Sequence, residues 1–261
     1  MLNIQRINSF FQQFALQDST ESASGKPTFN TFWEARGRQS FYLTRNVGYR
    51  VGAYFALVAY RLGLKPAMLT ILSLVCTLSA CAIALSIESS FWAGTVLLFG
   101  LLIGYCFDCA DGPLARVTGR ASLFGALLDK GIDFVSAIAI PLLLCTTVAP
   151  AASPVQFALL LLLAIAPRSL LIVTLWLKEA HMNGADREAE DTRPRNRLWR
   201  MRRGFGGAAD EFAYRGILAL AWGFGFFWSA IMIYGIFHLA LVVGYFTVLF
   251  REHGPNAKSS T

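Results

Sequence analysis

Long apolar stretches separated by short polar connections dominate this chain. Runs at 67–87, 92–110, 122–148, 155–177, 212–229 and 231–250 each approach the about 20 mostly apolar residues that a membrane-spanning helix needs. The last two form one apolar run from Phe212 to Phe250, too long for a single crossing, so a tight turn is expected near Trp228–Ala230. Residues 30–64 follow another pattern. Aromatic residues interleave with arginines there, as in an amphipathic helix lying in the membrane interface. Its apolar part, Val51–Leu62, is too short to span. The pattern predicts an all-α, polytopic membrane bundle of six transmembrane helices with an N-terminal interfacial amphipathic helix. The expected parts are a mobile segment at 1–29, an amphipathic segment at 30–66, the membrane domain at 67–250 and a tail at 251–261.

Composition agrees with a membrane protein: 55% of the 261 residues are hydrophobic and 15% are charged, against about 25% charged in soluble domains. The net charge of +7 reports topology here and gives no case for nucleic-acid binding. Residues 1–66 carry eight Lys and Arg, 111–121 carry two, 178–215 carry nine, and the tail carries Arg251 and Lys258. The alternate connections, near Glu88–Ser90, Ala149–Pro154 and 229–231, carry none. The positive-inside bias therefore puts both termini on the cytoplasmic side of the cell membrane. The first 30 residues lack a continuous apolar core, so no cleavable signal peptide is expected. The mixed-charge segment after His181 is expected to be a solvated loop near the headgroups.

Against this apolar background four aspartates fall within 26 residues: Asp108, Asp111, Asp129 and Asp133. Carboxylates at membrane depth rarely persist without a partner or a task. Spacings of three and four put each pair on one helix face. Two facing pairs make an oxygen-rich nest suited to hard divalent cations. Gly112-Pro113 is expected to break the helix and turn the chain between the pairs. Gly125, one turn before Asp129, would let a ligand approach the backbone, and the planar fork of Arg116 suits phosphate. The alternative readings are a cation pathway or simple ion pairing with Arg116, Arg120 and Lys130. Cys106 and Cys109 form a CxxC without a second Cys/His pair, and all five cysteines read as small buried hydrophobes.

Written out, the centre is Asp108-x2-Asp111-Gly112-x2-Ala115-Arg116-x8-Gly125-x3-Asp129-x3-Asp133. It resembles the signature of the CDP-alcohol phosphotransferase family at every fixed position. The resemblance implies a transferase of phospholipid biosynthesis: an alcohol attacks a CDP-linked donor, usually CDP-diacylglycerol, a substituted phosphoryl group moves, and CMP leaves. It implies two divalent cations, Mg2+ or Mn2+, held by Asp108, Asp111, Asp129 and Asp133, with Asp133 also the general base. Gly112, Ala115, Arg116 and Gly125, with Asp111, would line the CDP pocket. It also implies a homodimer and a site open to the cytoplasm. Many members carry Pro-Asn-x-x-Thr at the start of the first span. Here Pro66 and Thr70 fit, Thr70 as a CDP contact, but Ala67 stands in place of Asn.

The acceptor alcohol is not fixed by the motif. Lys130, Arg168 and Arg215 are the candidate acceptor-binding residues, since members that use phosphorylated acceptors place basic side chains beside the metals. The plainer readings pair Arg168 with a motif aspartate and anchor Arg215 at the headgroups. His238 reads as a satisfied core histidine, and Trp222, Phe224, Phe226, Phe227 and Trp228 as an interfacial belt. Three other assignments remain open: a soluble CDP-alcohol donor with a lipid acceptor, a cation transporter, and a scaffold subunit.

Overall fold

The structure is a computed structural model that describes residues 26–37, 41–146, 153–181 and 210–253. The expected mobile N-terminal segment up to residue 25, the mixed-charge segment at 182–209 and the end of the tail from 254 lie outside the described residues. Within them the chain forms α1 (Phe29–Glu34), a π-helical turn (Thr44–Gly48), α2 (Tyr49–Arg61), α3 (Pro66–Leu85), α4 (Ser90–Val117), α5 (Leu123–Thr146), α6 (Pro154–His181), α7 (Glu211–Gly223) and α8 (Phe227–His253). No strand occurs among the described residues.

The helix starts follow local chemistry. Pro66 opens α3 behind an extended Lys65, where the missing N–H would be unpaired anyway. Ser122 caps α5 by accepting from the Gly125 N–H at 3.1 Å. Ser153 and Gln156 cap α6 reciprocally, at 3.1 and 3.3 Å. Asp210 caps α7 by accepting from the Phe212 N–H at 3.0 Å.

The stops correct two expectations. Gly112-Pro113 does not break the chain, because α4 runs on to Val117. The turn comes at Gly119, with φ +64, where the Gly119 and Arg120 amides bond back to Arg116 and Ala115. This paired closure satisfies the last carbonyls of the helix. Pro113 leaves the Cys109 carbonyl without its helical donor, and α2 packs against that point through Gly52. A side chain there would stand 3.0 Å from the Cys109 backbone. The second corrected turn lies at Phe224–Phe226 rather than Trp228–Ala230. Gly225, φ +78, ends α7 with the same paired bonds, to Trp222 and Ala221. Phe224 and Phe226 are exposed as expected of a belt, but Phe227 turns into the core.

Among the described residues four helical stretches are long and apolar enough to cross a membrane: Pro66–Leu85, Ser90–Val117, Pro154–Thr174 and Phe227–Gly244. α5 has 24 residues, length enough, but carries Asp129, Lys130 and Asp133 in its first half. α7 has 13 residues, about 20 Å at the helical rise and short of a full crossing. The N-terminal region is two short helices and a π-helical turn rather than one continuous helix.

α4 is the hub, packing against α2, α3 and α7, while α6 pairs with α8. One core gathers Leu97 and Leu101 of α4, Ile140 and Leu144 of α5, Leu218 of α7 and Ile231 of α8. A second, smaller core joins Phe32 of α1 and Ala53, Ala56 and Ala59 of α2 to Leu69, Ala110 and Leu114. It lies at the end of α4 that carries the aspartates. α4 and α7 cross closely, backbone to backbone: a Cβ on Gly94 would fall 2.4 Å from the Gly223 Cα.

Candidate active site

The last turns of α4 and the first of α5 bring three acids together. One carboxylate oxygen from each of Asp108, Asp111 and Asp129 lies within 4.8 Å of the others. The Thr70 hydroxyl of α3 donates to Asp111 Oδ2 at 2.6 Å and fixes that carboxylate. Asp133, one turn further along α5, does not join this group. Lys130 bridges it to Asp129, with Nζ at 3.3 Å from Asp129 and 3.7 Å from Asp133. Three partly buried carboxylates converging from two helices need compensating positive charge. An all-oxygen donor set of this kind fits a hard divalent cation.

Beside the acids lies a cavity of about 310 Å³. Thr70, Asp111, Gly112, Ala115, Arg116 and Gly125 all line it, so the six residues expected around a nucleotide border one cavity. Asp129 reaches the same cavity, as does Ala67, the position that departs from the family pattern. The Arg116 guanidinium lies over Gly112, where a Cβ would stand 3.1 Å from Nη2. Gly125 has a structural reason as well as a ligand-facing one, since a Cβ there would press on the capping Ser122 Oγ at 3.2 Å. Ser122, Lys65 and Phe124 also line the cavity and were not singled out from sequence. For Ser122 the signal was present: a serine between a glycine turn and an apolar run is a cap.

Arg168 and Arg215 do not line this cavity. They meet on Glu211: Arg168 Nη2 bonds Oε2, and Arg215 Nε bonds Oε1 at 2.8 Å. Arg168 is 6% exposed and Arg215 2%. Arg168 therefore pairs with Glu211 and not with a motif aspartate, and Arg215 is buried rather than set at the headgroups. Each guanidinium also covers an aromatic face, Arg168 on Tyr214 at 3.8 Å and Arg215 on Tyr105 at 5.0 Å. Arg168 Nε is buried with no hydrogen-bond partner among the described residues. Glu211 was missed from sequence, although its i,i+4 spacing to Arg215 is a recognised pairing signal.

A clasp closes this side. Asp210, fully buried, accepts from the Thr44 backbone N–H at 2.9 Å and from the Thr44 hydroxyl. With its proton so committed, Thr44 Oγ1 accepts from the Tyr105 hydroxyl at 3.1 Å. The remaining sequence candidates are inert here. Cys106 and Cys109 are free and buried. His238 is buried, with Nδ1 donating to the Tyr234 carbonyl at 2.8 Å, as a satisfied core histidine should.

Comparison with known proteins gives two findings. The sequence model described as CDP-alcohol phosphatidyltransferase matches residues 64–250. Archaetidylinositol phosphate synthase of Pyrococcus horikoshii is 39% identical over 75 residues, which cover 29% of this chain and 37% of that relative. The matched stretch thus spans well under half of the relative's length.

Proposed function

The chain belongs to the CDP-alcohol phosphatidyltransferase family, matched over residues 64–250, and from that premise we propose that it moves a phosphatidyl group from CDP-diacylglycerol to an alcohol hydroxyl in phospholipid synthesis. The observation that carries this reading is the adjacency of a three-carboxylate group to a cavity lined by all the remaining fixed residues of the motif except Asp133.

In this reading Asp108, Asp111 and Asp129, with Asp133 sharing, hold two divalent cations, Mg2+ or Mn2+. When bound, these would neutralise a pyrophosphate and favour departure of CMP. Arg116 binds a phosphate oxygen of the donor with its planar fork. Gly112, Ala115 and Gly125 leave room for the nucleotide, and Thr70 keeps Asp111 oriented. The acceptor oxygen forms a bond to the phosphatidyl phosphorus as the bond to CMP breaks. CMP takes the electron pair, and the acceptor's proton passes to the Asp133 carboxylate.

Arg168, Arg215 and Lys130 serve the acceptor. Two buried guanidiniums share one carboxylate, and Arg168 keeps an unpartnered N–H, so positive charge is left over. That surplus favours an alcohol bearing a phosphate, a class consistent with the printed name of the archaeal relative. The arginine and lysine bias of the connections supports a site and termini on the cytoplasmic side. The enzyme is read as a homodimer of six-helix protomers, with α1 and α2 lying along the membrane interface.

The test is CMP release by the purified protein with CDP-diacylglycerol, Mg2+ or Mn2+, and a panel of phosphorylated and plain alcohols. Acceptor-dependent release, lost in Asp133→Asn, is the expected result. Near-normal turnover by a folded Asp133→Asn protein would overturn the base assignment. Release only from a soluble CDP-alcohol with a lipid acceptor would reverse the donor and acceptor roles.

A further inference from the structure

Arg116 is oriented by a part of the chain that lies outside the family domain. α1 and the residues after it precede the matched range of 64–250. The carbonyl of Ala35, at the C-terminal cap of α1, accepts from Arg116 Nε at 2.6 Å. A carbonyl at a helix end has no partner within its own helix and takes one from elsewhere. Gly37 continues around the same guanidinium, within 3.9 Å of Nη2 by its Cβ direction. With Nε engaged from behind, the two Nη groups lie over Gly112 on the cavity wall. Among the described residues no carboxylate pairs with Arg116. Its charge is thus left for an anion in the cavity.

α1 is firmly seated for this task. Phe32 is fully buried against α2 and α4. Phe29 packs on Tyr54 at 4.4 Å between ring centres, and Arg36 stacks on Trp33 at 3.9 Å. A six-residue helix has little stability of its own; these contacts hold it, and through Ala35 they hold the arginine.

We propose that α1 is a working part of the nucleotide pocket: its Ala35 carbonyl holds the Arg116 fork turned into the cavity, and so sets the affinity for a cytidine diphosphate group. This rests on the nucleotide reading of the cavity given above. Ala35 and Phe32 are positioning residues and need not touch the ligand. Fixing a long side chain before the ligand arrives removes part of the ordering penalty of binding.

The test uses the full-length protein in detergent, titrated calorimetrically with CDP in the presence of Mn2+. Phe32→Ala frees α1 and should weaken CDP about tenfold, while Phe32→Leu, which keeps an apolar anchor, should recover most of the affinity. Arg116→Ala should weaken CDP more strongly. In the Arg116→Ala background, adding Phe32→Ala should change nothing further, because the route from α1 to the ligand is already cut. An equal loss from Phe32→Ala in both backgrounds, or no loss in either, overturns the proposal. Should Phe32→Ala fail to fold, the same bond is read from the other end. Arg116→Ala should then speed amide hydrogen exchange at residues 29–37, and unchanged exchange overturns the proposal. A wild-type protein that binds no CDP at all overturns the nucleotide reading itself, an outcome distinct from binding that ignores α1.

Discussion

Among the described residues Glu211 is the single carboxylate bonded to the two buried arginines Arg168 and Arg215, and Glu211→Ala should be among the most damaging single changes outside the three-carboxylate group. The substitution leaves Arg168 and Arg215, 6% and 2% exposed, without a counter-charge. Removing one partner of a buried ion pair costs about 3–5 kcal/mol, chiefly because the remaining charge stays desolvated. Glu211 itself is 26% exposed, which draws the expectation to the lower end, about 3 kcal/mol. The Tyr214 face under Arg168 and the Thr77 hydroxyl 3.4 Å from Arg215 are present in both proteins and do not offset the loss. At about 2–4 °C per kcal/mol for a chain of this size, the melting temperature should fall by about 6–12 °C. Intrinsic tryptophan fluorescence of the detergent-solubilised protein during heating reads this directly. Replacing all three groups together, Arg168→Met, Arg215→Met and Glu211→Leu, should recover much of the stability, since an apolar cluster needs no counter-charge. A Glu211→Ala protein melting within about 2 °C of the wild type would refute the reasoning, because Arg168 and Arg215 would then be solvated or paired elsewhere.

Two further changes follow from the packing. Thr70→Val removes the hydroxyl that orients Asp111 and should weaken Mn2+ binding about tenfold, measured by electron paramagnetic resonance of the free ion; unchanged affinity would detach Asp111 from the metal. Gly94→Ala places a methyl group 2.4 Å from the Gly223 Cα and should cost about 1–3 kcal/mol, with a matching fall in melting temperature; an unshifted melt would mean that α4 and α7 can separate freely.

Much of the site could be read from residue spacing, because its logic is local. Asp108 and Asp111 share a face by their interval alone, and Gly125 and Asp129 follow on the next helix in the same way. Four of the six apolar runs correspond to helices that satisfy length and hydropathy together. Apart from the second turn, the misreadings share one cause, which is that tertiary contacts decided them. Pro113 should have ended α4, but the lost helical bond is a single one, and Gly52 of α2 admits close packing against the Cys109 carbonyl that it frees. The second turn moved to Gly225 because only glycine adopts its left-handed conformation at little energetic cost, a signal present in Gly223-Phe224-Gly225 but outweighed by run length. Arg168 and Glu211 are 43 residues apart, and no periodicity relates them. α1 reaches Arg116 across 81 positions, again beyond any local rule.

The clasp between Thr44 and Asp210 bears on how the molecule is made. It joins points 166 residues apart, so the first is synthesised long before its partner exists. α3 to α6 can enter the bilayer and pack while the Thr44 amide still lacks its acceptor. Only when the ribosome has delivered α7 can Thr44 be fastened to Asp210, and the same arrival brings Glu211 to the waiting Arg168. Synthesis therefore closes this clasp late. A nascent chain halted before residue 210 would hold every motif aspartate yet lack the Thr44–Asp210 closure and the carboxylate that Arg168 and Arg215 share.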